Sequence, residues 1–283
     1  QSRGLGDVYK RQNYDCCVAY YDEHLLEISI EQRRLLGEFE PALQNDEFVM
    51  YLQPQVKRDG AAKGAEALVR WVHPSRGILT PYAFIDILEN AGLIYKLDLY
   101  IWEKAAQKLA EWKEKGYGSY HISVNISTKD FYIIDIYETF TGLINKYGIA
   151  ASNLHLEITE TTLMTDFEKN MNIIHKLQGV GFRVEIDDFG SGYSSLNMLK
   201  DISADVLKID MGFLRKSENE VKGQDILESI ITLAGKIGMD VITEGVETKK
   251  QLDMLTMMGC HEFQGYYFSK PVPVSEFEEK YLV

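Results

Sequence analysis

The chain has 283 residues, of which 45% are hydrophobic and 26% charged, and that balance excludes a disordered or fibrous polypeptide. Its net charge of −13 excludes long nucleic acid held on a basic face, but leaves room for a small anion bound through cations. Three cysteines, Cys16, Cys17 and Cys260, with no C-x-x-C spacing, exclude a disulfide framework and a cysteine zinc site and fit a reducing cytoplasm. No apolar run is long enough to span a bilayer, so no membrane contact is expected of this segment, and the start lacks the apolar stretch of a secretory signal.

Residues 1–12, QSRGLGDVYKRQ, fit no apolar pattern and read as a non-native tail. Residues 14–28 read as a strand and turn of something upstream. Over 29–45 the apolar positions Ile30, Leu35, Leu36, Phe39 and Leu43 fall near helical spacing, interrupted by Pro41, and predict a linker helix. From Phe48 strands and helices alternate. The strands are expected at 48–56, 64–71, 121–127, 154–159, 182–187, 205–209, 240–244 and 262–268. Helices are expected at 98–115, stopped by Gly116, at 166–178, closed by Gly179, at 224–237, and at 248–258. The last opens with Thr248 and Gln251 at capping-box spacing.

Eight strands in this alternation predict an α/β fold of the (β/α)8 barrel kind. Only a short turn, RDGAAK, joins the first two strands, whereas a parallel pair needs a crossover of about a dozen residues. The expectation is a modified barrel with an antiparallel first strand.

The strands carry isolated polar residues at or near their carboxyl ends: Glu66, Asn125, Glu157, Asp187 with Asp188, Lys208, Glu244 and Gln264. A carboxylate buried alone in an apolar strand is costly. Repeated strand after strand, the pattern fits one convergent, oxygen-rich site for hard divalent cations. Asp187 can bridge two ions, with Glu66, Asn125 and Glu157 on one, and Asp188 and Glu244 on the other. Alone, Asn125 reads equally as a structural hydrogen-bonding side chain. For both aspartates to face the site the chain must bend, which Gly190 and Gly192 permit. Lys208 reads either as a catalytic group on the attacking water or as a plain ion pair with Asp188 or Asp210. Arg70 can fork onto a phosphate, and Gln53 and Gln264 can meet a base or phosphate or only satisfy barrel-rim backbone. The loop 189–196, FGSGYSSL, lacks the lysine of a phosphate-binding loop and reads as a lid. His73 reads as structural.

Taken together, AEALVRW, YLQPQV, FIDILENAGLI, SVNIS, LEITET, IDDFGSGYSSL, LKID, ITEGVET and QGYYFSKP resemble the EAL-domain cyclic di-GMP phosphodiesterases over roughly residues 35–275. Residues 13–34 resemble the end of a GGDEF domain and its linker, so the division expected is 1–12 tail, 13–34 remnant, 35–283 EAL domain. The resemblance implies a phosphoric diester hydrolase that opens cyclic di-GMP to linear pGpG with two Mg²⁺ or Mn²⁺ ions. It places Glu66, Asn125, Glu157, Asp187, Asp188 and Glu244 at metal positions, and Lys208 at the position that handles the water. It makes Glu66, Asp187, Glu244 and Lys208 the expected catalytic set. Gln53, Leu68, Arg70, Asp210 and Gln264 stand at positions near the substrate, and Glu160 and Glu247 at loop-holding positions. It also implies a homodimer and an upstream sensory or GGDEF domain. Some members of the family only bind the dinucleotide, so a catalytically silent receptor is the competing reading. No metal or lysine position is missing here, and Ser191 stands where threonine is usual.

Overall fold

The computed structural model of the chain describes residues 23–190, 202–212 and 220–282. The tail and the start of the upstream remnant lie outside the described residues, as does the 189–196 lid beyond Gly190. The chain divides into two compact units, Gln1–Pro41 and Ala42–Val283. In the first, the described residues belong to helix α1 (Glu23–Gln44), which begins earlier than the periodicity predicts and carries Pro41 within it.

The second unit is built on a closed sheet. Strands β1 (Phe48–Lys57) and β2 (Ala62–His73) are antiparallel over their whole length. Their turn is closed by the Gly60 N–H on the Lys57 carbonyl at 2.9 Å, with Gly60 at φ +85°, where glycine carries no Cβ penalty. Strand β3 (Gly77–Leu79) folds back on β2. Then β4 (His121–Ile126), β5 (Leu154–Thr159), β6 (Arg183–Phe189), β7 (Val206–Asp210), β8 (Asp240–Glu244) and β9 (Glu262–Phe263) follow β2 as parallel neighbours. The ring closes where Val56 of β1 pairs antiparallel with Phe263 of β9. It is a barrel with one reversed strand, as the short first turn requires. Outside the ring, β10 (Val272–Pro273) extends β1.

Between the strands run α2 (Ile85–Ala91), α3 (Ile94–Glu114), α4 (Asp130–Ile133), α5 (Ile136–Tyr147), α6 (Glu160–Thr165), α7 (Phe167–Val180), α8 (Glu220–Lys236) and α9 (Lys249–Met257), with α10 (Val274–Tyr281) at the end. The capping box on α9 is present, with the Gln251 N–H on Thr248 Oγ1 at 3.2 Å and Gln251 Oε1 accepting from the Thr248 N–H at 2.9 Å.

Strand alternation divides the apolar and polar residues between two faces. One set, including Val124, Leu156, Ile186 and Leu207, is fully buried. The helices bury Trp102, Trp112, Phe140, Leu177 and Phe277, and their rings pack in pairs, Trp102 on Phe140 at 4.5 Å and Trp112 on Phe277 at 5.6 Å. Burying one such side chain contributes roughly 1.5–3 kcal/mol. The apolar core is thus the layer between sheet and helices. The alternate residues point into the lumen, and those are mostly polar.

Several boundaries differ from the periodicity: α3 begins at Ile94 rather than 98 and α8 at Glu220 rather than 224. Helix α7 runs through Gly179 to Val180 and stops at Gly181, which takes the left-handed conformation at φ +106°. Strand β9 ends at Phe263 rather than 268. There the chain turns back on the loop after β8: the Val246 N–H donates to the Gln264 carbonyl at 3.2 Å and the Tyr267 N–H to the Val246 carbonyl at 2.9 Å. A Cβ on Gly265 would lie 2.2 Å from the Val246 carbonyl oxygen. Gly265→Ala should therefore force two backbones apart and cost roughly 1–3 kcal/mol. Urea unfolding measures this, and an unchanged midpoint would show that the crossing has slack.

Candidate active site

Lys208 sits at the middle of β7 with no exposure, and the barrel's acids surround it. Its Nζ lies 2.7 Å from Glu244 Oε1, 2.9 Å from Glu157 Oε2, 3.3 Å from Asp187 Oδ1 and 3.4 Å from Glu66 Oε2. Four strands thus deliver a carboxylate to one ammonium on a fifth. The ion pair expected with Asp188 or Asp210 is replaced by this ring. Gln264 Nε2 donates to Glu66 Oε2 at 2.5 Å and to Gln53 Oε1 at 3.2 Å, and Asn125 Nδ2 donates to Glu66 Oε1 at 3.3 Å. Glu66, Asn125, Glu157, Asp187, Lys208, Glu244, Gln264 and Gln53 therefore form one network.

Local structure aims these groups. Trp102 Nε1 donates to the Asn125 carbonyl at 2.9 Å and ties the end of β4 to α3. Asp188 has φ +56°, a left-handed conformation rare for a residue other than glycine, and this bends the end of β6 beside the ring. The Asp188 side chain is exposed, whereas Glu157 is buried at 1%.

The remaining candidates take outer places. Arg70 is half-buried, with its guanidinium 5.5 Å from the centre of the Tyr51 ring and Nη1 donating to the Val69 carbonyl. The Asp210 carboxylate accepts from the Gly212 N–H at 2.8 Å and shapes the turn after β7. Glu160 opens α6 directly after Thr159, and Glu247 lies before α9 with its N–H on Gln251 Oε1 at 2.9 Å. His73 is buried and its Nδ1 accepts from the Ser75 N–H at 3.2 Å, a turn-holding contact as expected. Leu68 and Asp188 line a cleft of about 440 Å³ that opens beside the ring, together with Tyr82 and Asp98. Sequence reasoning passed over Asp98. Burial and the neighbouring Asp130 hold its carboxyl well above the usual carboxylate range.

Charge in the ring is out of balance. Glu66, Glu157, Asp187, Asp188 and Glu244 face one lysine. Burial first, and then Glu66, pushes Glu157 well up. Burial pushes Glu244 up to about 8, against the pull of Lys208. Although Asp188 is exposed on one side, partial desolvation by the protein around it also raises its carboxyl, with Asp187 adding to it. Lys208 stands well above its ordinary value, because Asp187, Glu157, Glu244 and Glu66 outweigh its burial. Glu157 Oε1 is buried with no hydrogen-bond partner among the described residues. Excess negative charge, an unpartnered carboxylate oxygen and an all-oxygen donor set fit hard divalent cations.

A second polar cluster lies lower in the barrel. His121 Nε2 is 2.7 Å from Gln55 Oε1, Gln55 Nε2 donates to Ser123 Oγ at 3.2 Å, and His155 Nδ1 is 2.6 Å from Glu185 Oε1. These residues were not among the sequence candidates, although alternation carries the signal. His121 and Ser123 precede Asn125 by four and two residues, His155 precedes Glu157 by two, and Glu185 precedes Asp187 by two. Burial, and then His155, lowers His121 to about 3. The unfolded chain takes up a proton near pH 6.5 that folded His121 refuses. Its contribution to stability is thus intact above pH 6.5 and falls as pH drops toward 3, by about 1 kcal/mol per pH unit. Urea unfolding of wild type and His121→Asn at pH 7.5 and 4.5 should show the wild type losing more. Equal losses would remove His121 from the acid response.

The EAL domain family profile matches residues 37–271. The chain belongs to the EAL-domain family. This EAL domain is 34% identical over 247 residues to the bifunctional diguanylate cyclase/cyclic di-GMP phosphodiesterase MucR of Pseudomonas aeruginosa, covering 87% of this chain and 36% of that protein. It is 33% identical over 240 residues to the cyclic di-GMP phosphodiesterase PdeR of Escherichia coli, covering 85% of this chain and 36% of that one. The chain thus spans only about a third of the length of these relatives. Among solved structures, the PaMucR phosphodiesterase in complex with c-di-GMP superposes with a TM-score of 0.81 at 33% identity, covering 86% of this chain and 99% of that one.

Proposed function

We propose that this EAL domain is a phosphodiesterase that hydrolyses cyclic di-GMP to linear pGpG. The ring of four carboxylates on Lys208, placed at the carboxyl ends of the barrel strands, carries this reading. The c-di-GMP bound to its structural relative supports the substrate class. Glu66, Asn125, Glu157, Asp187, Asp188 and Glu244 would hold two divalent cations, Mg²⁺ or Mn²⁺. When bound, such ions supply Lewis-acid stabilisation of phosphoryl charge and acidify a water.

The chain's own groups do the rest. Lys208 orients the attacking water toward one phosphorus, in line with the departing 3′ oxygen. That P–O bond breaks as the new one forms: the water's oxygen goes to phosphorus and a proton ends on the departing 3′ oxygen, so one water is consumed. Leu68 and the adjoining cleft take a base, while Arg70 and Gln53 hold the dinucleotide. Gln264 fixes the Glu66 carboxylate through its 2.5 Å hydrogen bond. Asp210, Glu160 and Glu247 hold the loops around the site.

The same reading covers the architecture: residues 35–283 as the phosphodiesterase domain, residues 13–34 as the end of a GGDEF-like domain, and a homodimer working in the cytoplasm under an upstream sensory or GGDEF domain. Among the described residues no helix is long and apolar enough to cross a membrane.

Incubation with cyclic di-GMP and Mg²⁺ or Mn²⁺, followed by chromatography, is the direct test. Chelator-sensitive conversion to pGpG is expected, with Glu66→Ala abolishing it. Binding without turnover would make the domain a receptor, and full activity in Glu66→Ala would remove Glu66 from the metal site.

A further inference from the structure

The amino-terminal half of the barrel lumen holds a second group of potential ligands, different in kind from the acid ring. His121 begins β4, His155 is the second residue of β5 and Glu185 the third of β6. One donor atom from each lies within 4.8 Å of the other two. All three side chains are buried, at 9%, 4% and 0% exposure. Glu185 Oε2 has no hydrogen-bond partner among the described residues. A cavity of about 500 Å³ opens onto these groups from the amino-terminal ends of the strands, where Lys63, Arg183 and Asp240 line it.

We infer that His121, His155 and Glu185 form a binding site for one late first-row divalent cation of the Zn²⁺ class. The donor set decides the class. Two imidazole nitrogens and one carboxylate oxygen suit zinc, cobalt or nickel, whereas the oxygen-only ring above suits magnesium or manganese. The surroundings already supply outer partners of the kind that metal-bound histidines use. Gln55 Oε1, 2.7 Å from His121 Nε2, accepts a hydrogen bond from the Nε2–H and leaves the Nδ1 lone pair free. Glu185 Oε1 holds His155 at Nδ1, which leaves Nε2. The two imidazoles now lie plane on plane, 3.8 Å apart and 4° from parallel. One ring must turn out of this stack to share an ion, and the adjoining cavity gives it room. His121 is held on its other side by Gly64, where a Cβ would lie 2.4 Å from the ring. His155 is thus the ring that turns. The ion would tie β4, β5 and β6 together below the acid ring, and three protein ligands leave a position facing the cavity.

The test uses the whole chain, stripped with chelator, then given Zn²⁺ in a large excess of Mg²⁺ to occupy the oxygen-only ring. After desalting, zinc per chain is measured by mass spectrometry. One zinc per chain is expected in the wild type, falling at least tenfold in His121→Asn and His155→Asn, with folding checked by circular dichroism. Imidazole nitrogen NMR of the wild type under Zn²⁺ titration keeps the test decisive if a variant unfolds. Two of the six histidines should shift with one equivalent. Absence of retained zinc, or histidine signals that do not move, would leave only the His155–Glu185 hydrogen bond and overturn the inference. Zinc retained by folded His121→Asn but lost by Asp187→Asn would place the ion in the acid ring, and would overturn it as well.

Discussion

Lys208→Met is expected to lower turnover at least 10²-fold and, in chelator, to destabilise the fold by about 3–5 kcal/mol. Both effects arise from one geometry. Four carboxylate oxygens converge on Nζ within 3.4 Å, on a side chain with no exposure. Methionine fills much of the same volume but supplies neither the charge nor the donors. The acids then lose their counter-cation in a site where burial, and after it the neighbouring acids, already raise Glu157 and Glu244. Protonation offers partial relief. Glu244, raised to about 8 even beside Lys208, is neutral well below that pH in both proteins, so the deficit of the variant should grow as pH rises through 8. Mn²⁺ should restore part of the stability, because the ion takes over the neutralising role, but not the turnover. Urea unfolding in chelator and in Mn²⁺, beside initial rates, separates the two losses. A variant as stable as wild type in chelator would mean that the acids are relieved by protons rather than by the lysine.

That geometry was partly legible in the sequence. The polar residues within or near the ends of β2, β4, β5, β6, β7 and β8 were readable because a polar residue in an apolar strand needs a reason, and convergence supplies one. The reversal of β1 followed from the length of its turn. The partners of Lys208 were not readable, since they come from four strands, and spacing along one strand says nothing of distances across a lumen. The end of β9 was lost for a different cause. FQGYYF has strand composition, but Gly265 lets the chain cross Val246 at backbone contact, a tertiary fact. The helices α2, α4, α6 and α10 have only 7, 4, 6 and 8 residues and lack long periodicity, and the longer α5 (Ile136–Tyr147) was passed over with them. Asp135 at the start of α5 is a cap that could have marked one of them: its Oδ1 accepts from the Glu138 N–H at 3.0 Å. The lower cluster of His121, His155 and Glu185 was missed by stopping at the strand ends. Two-residue alternation run backward from Asn125, Glu157 and Asp187 reaches it.

Glu157→Gln is expected to move stability and activity in opposite directions. The amide keeps the shape of the side chain and removes one negative charge from a ring of four carboxylates on one lysine, with Asp188 beside it. In the absence of metal, wild-type Glu157 is held unfavourably by burial and by Glu66, while its Oε1 meets no hydrogen-bond donor among the described residues. Neutralising it should therefore stabilise the metal-free domain, by about 1 kcal/mol, despite the lost ion contact with Lys208. Turnover should fall at least 10²-fold, because the same oxygen would be a metal ligand. The stabilisation that Mn²⁺ gives to the wild type, which grows with ion concentration over its dissociation constant, should shrink in the variant. Thermal unfolding across a Mn²⁺ titration, with rates at each point, tests all three. If Glu157→Gln destabilises the metal-free domain, the carboxylate works in the apo fold chiefly as the partner of Lys208. If it stabilises the domain but leaves the Mn²⁺ response whole, the ions are held by the other acids. A stabilised, inactive and metal-insensitive variant would show that the excess charge of the ring is retained for the cations and not for the fold.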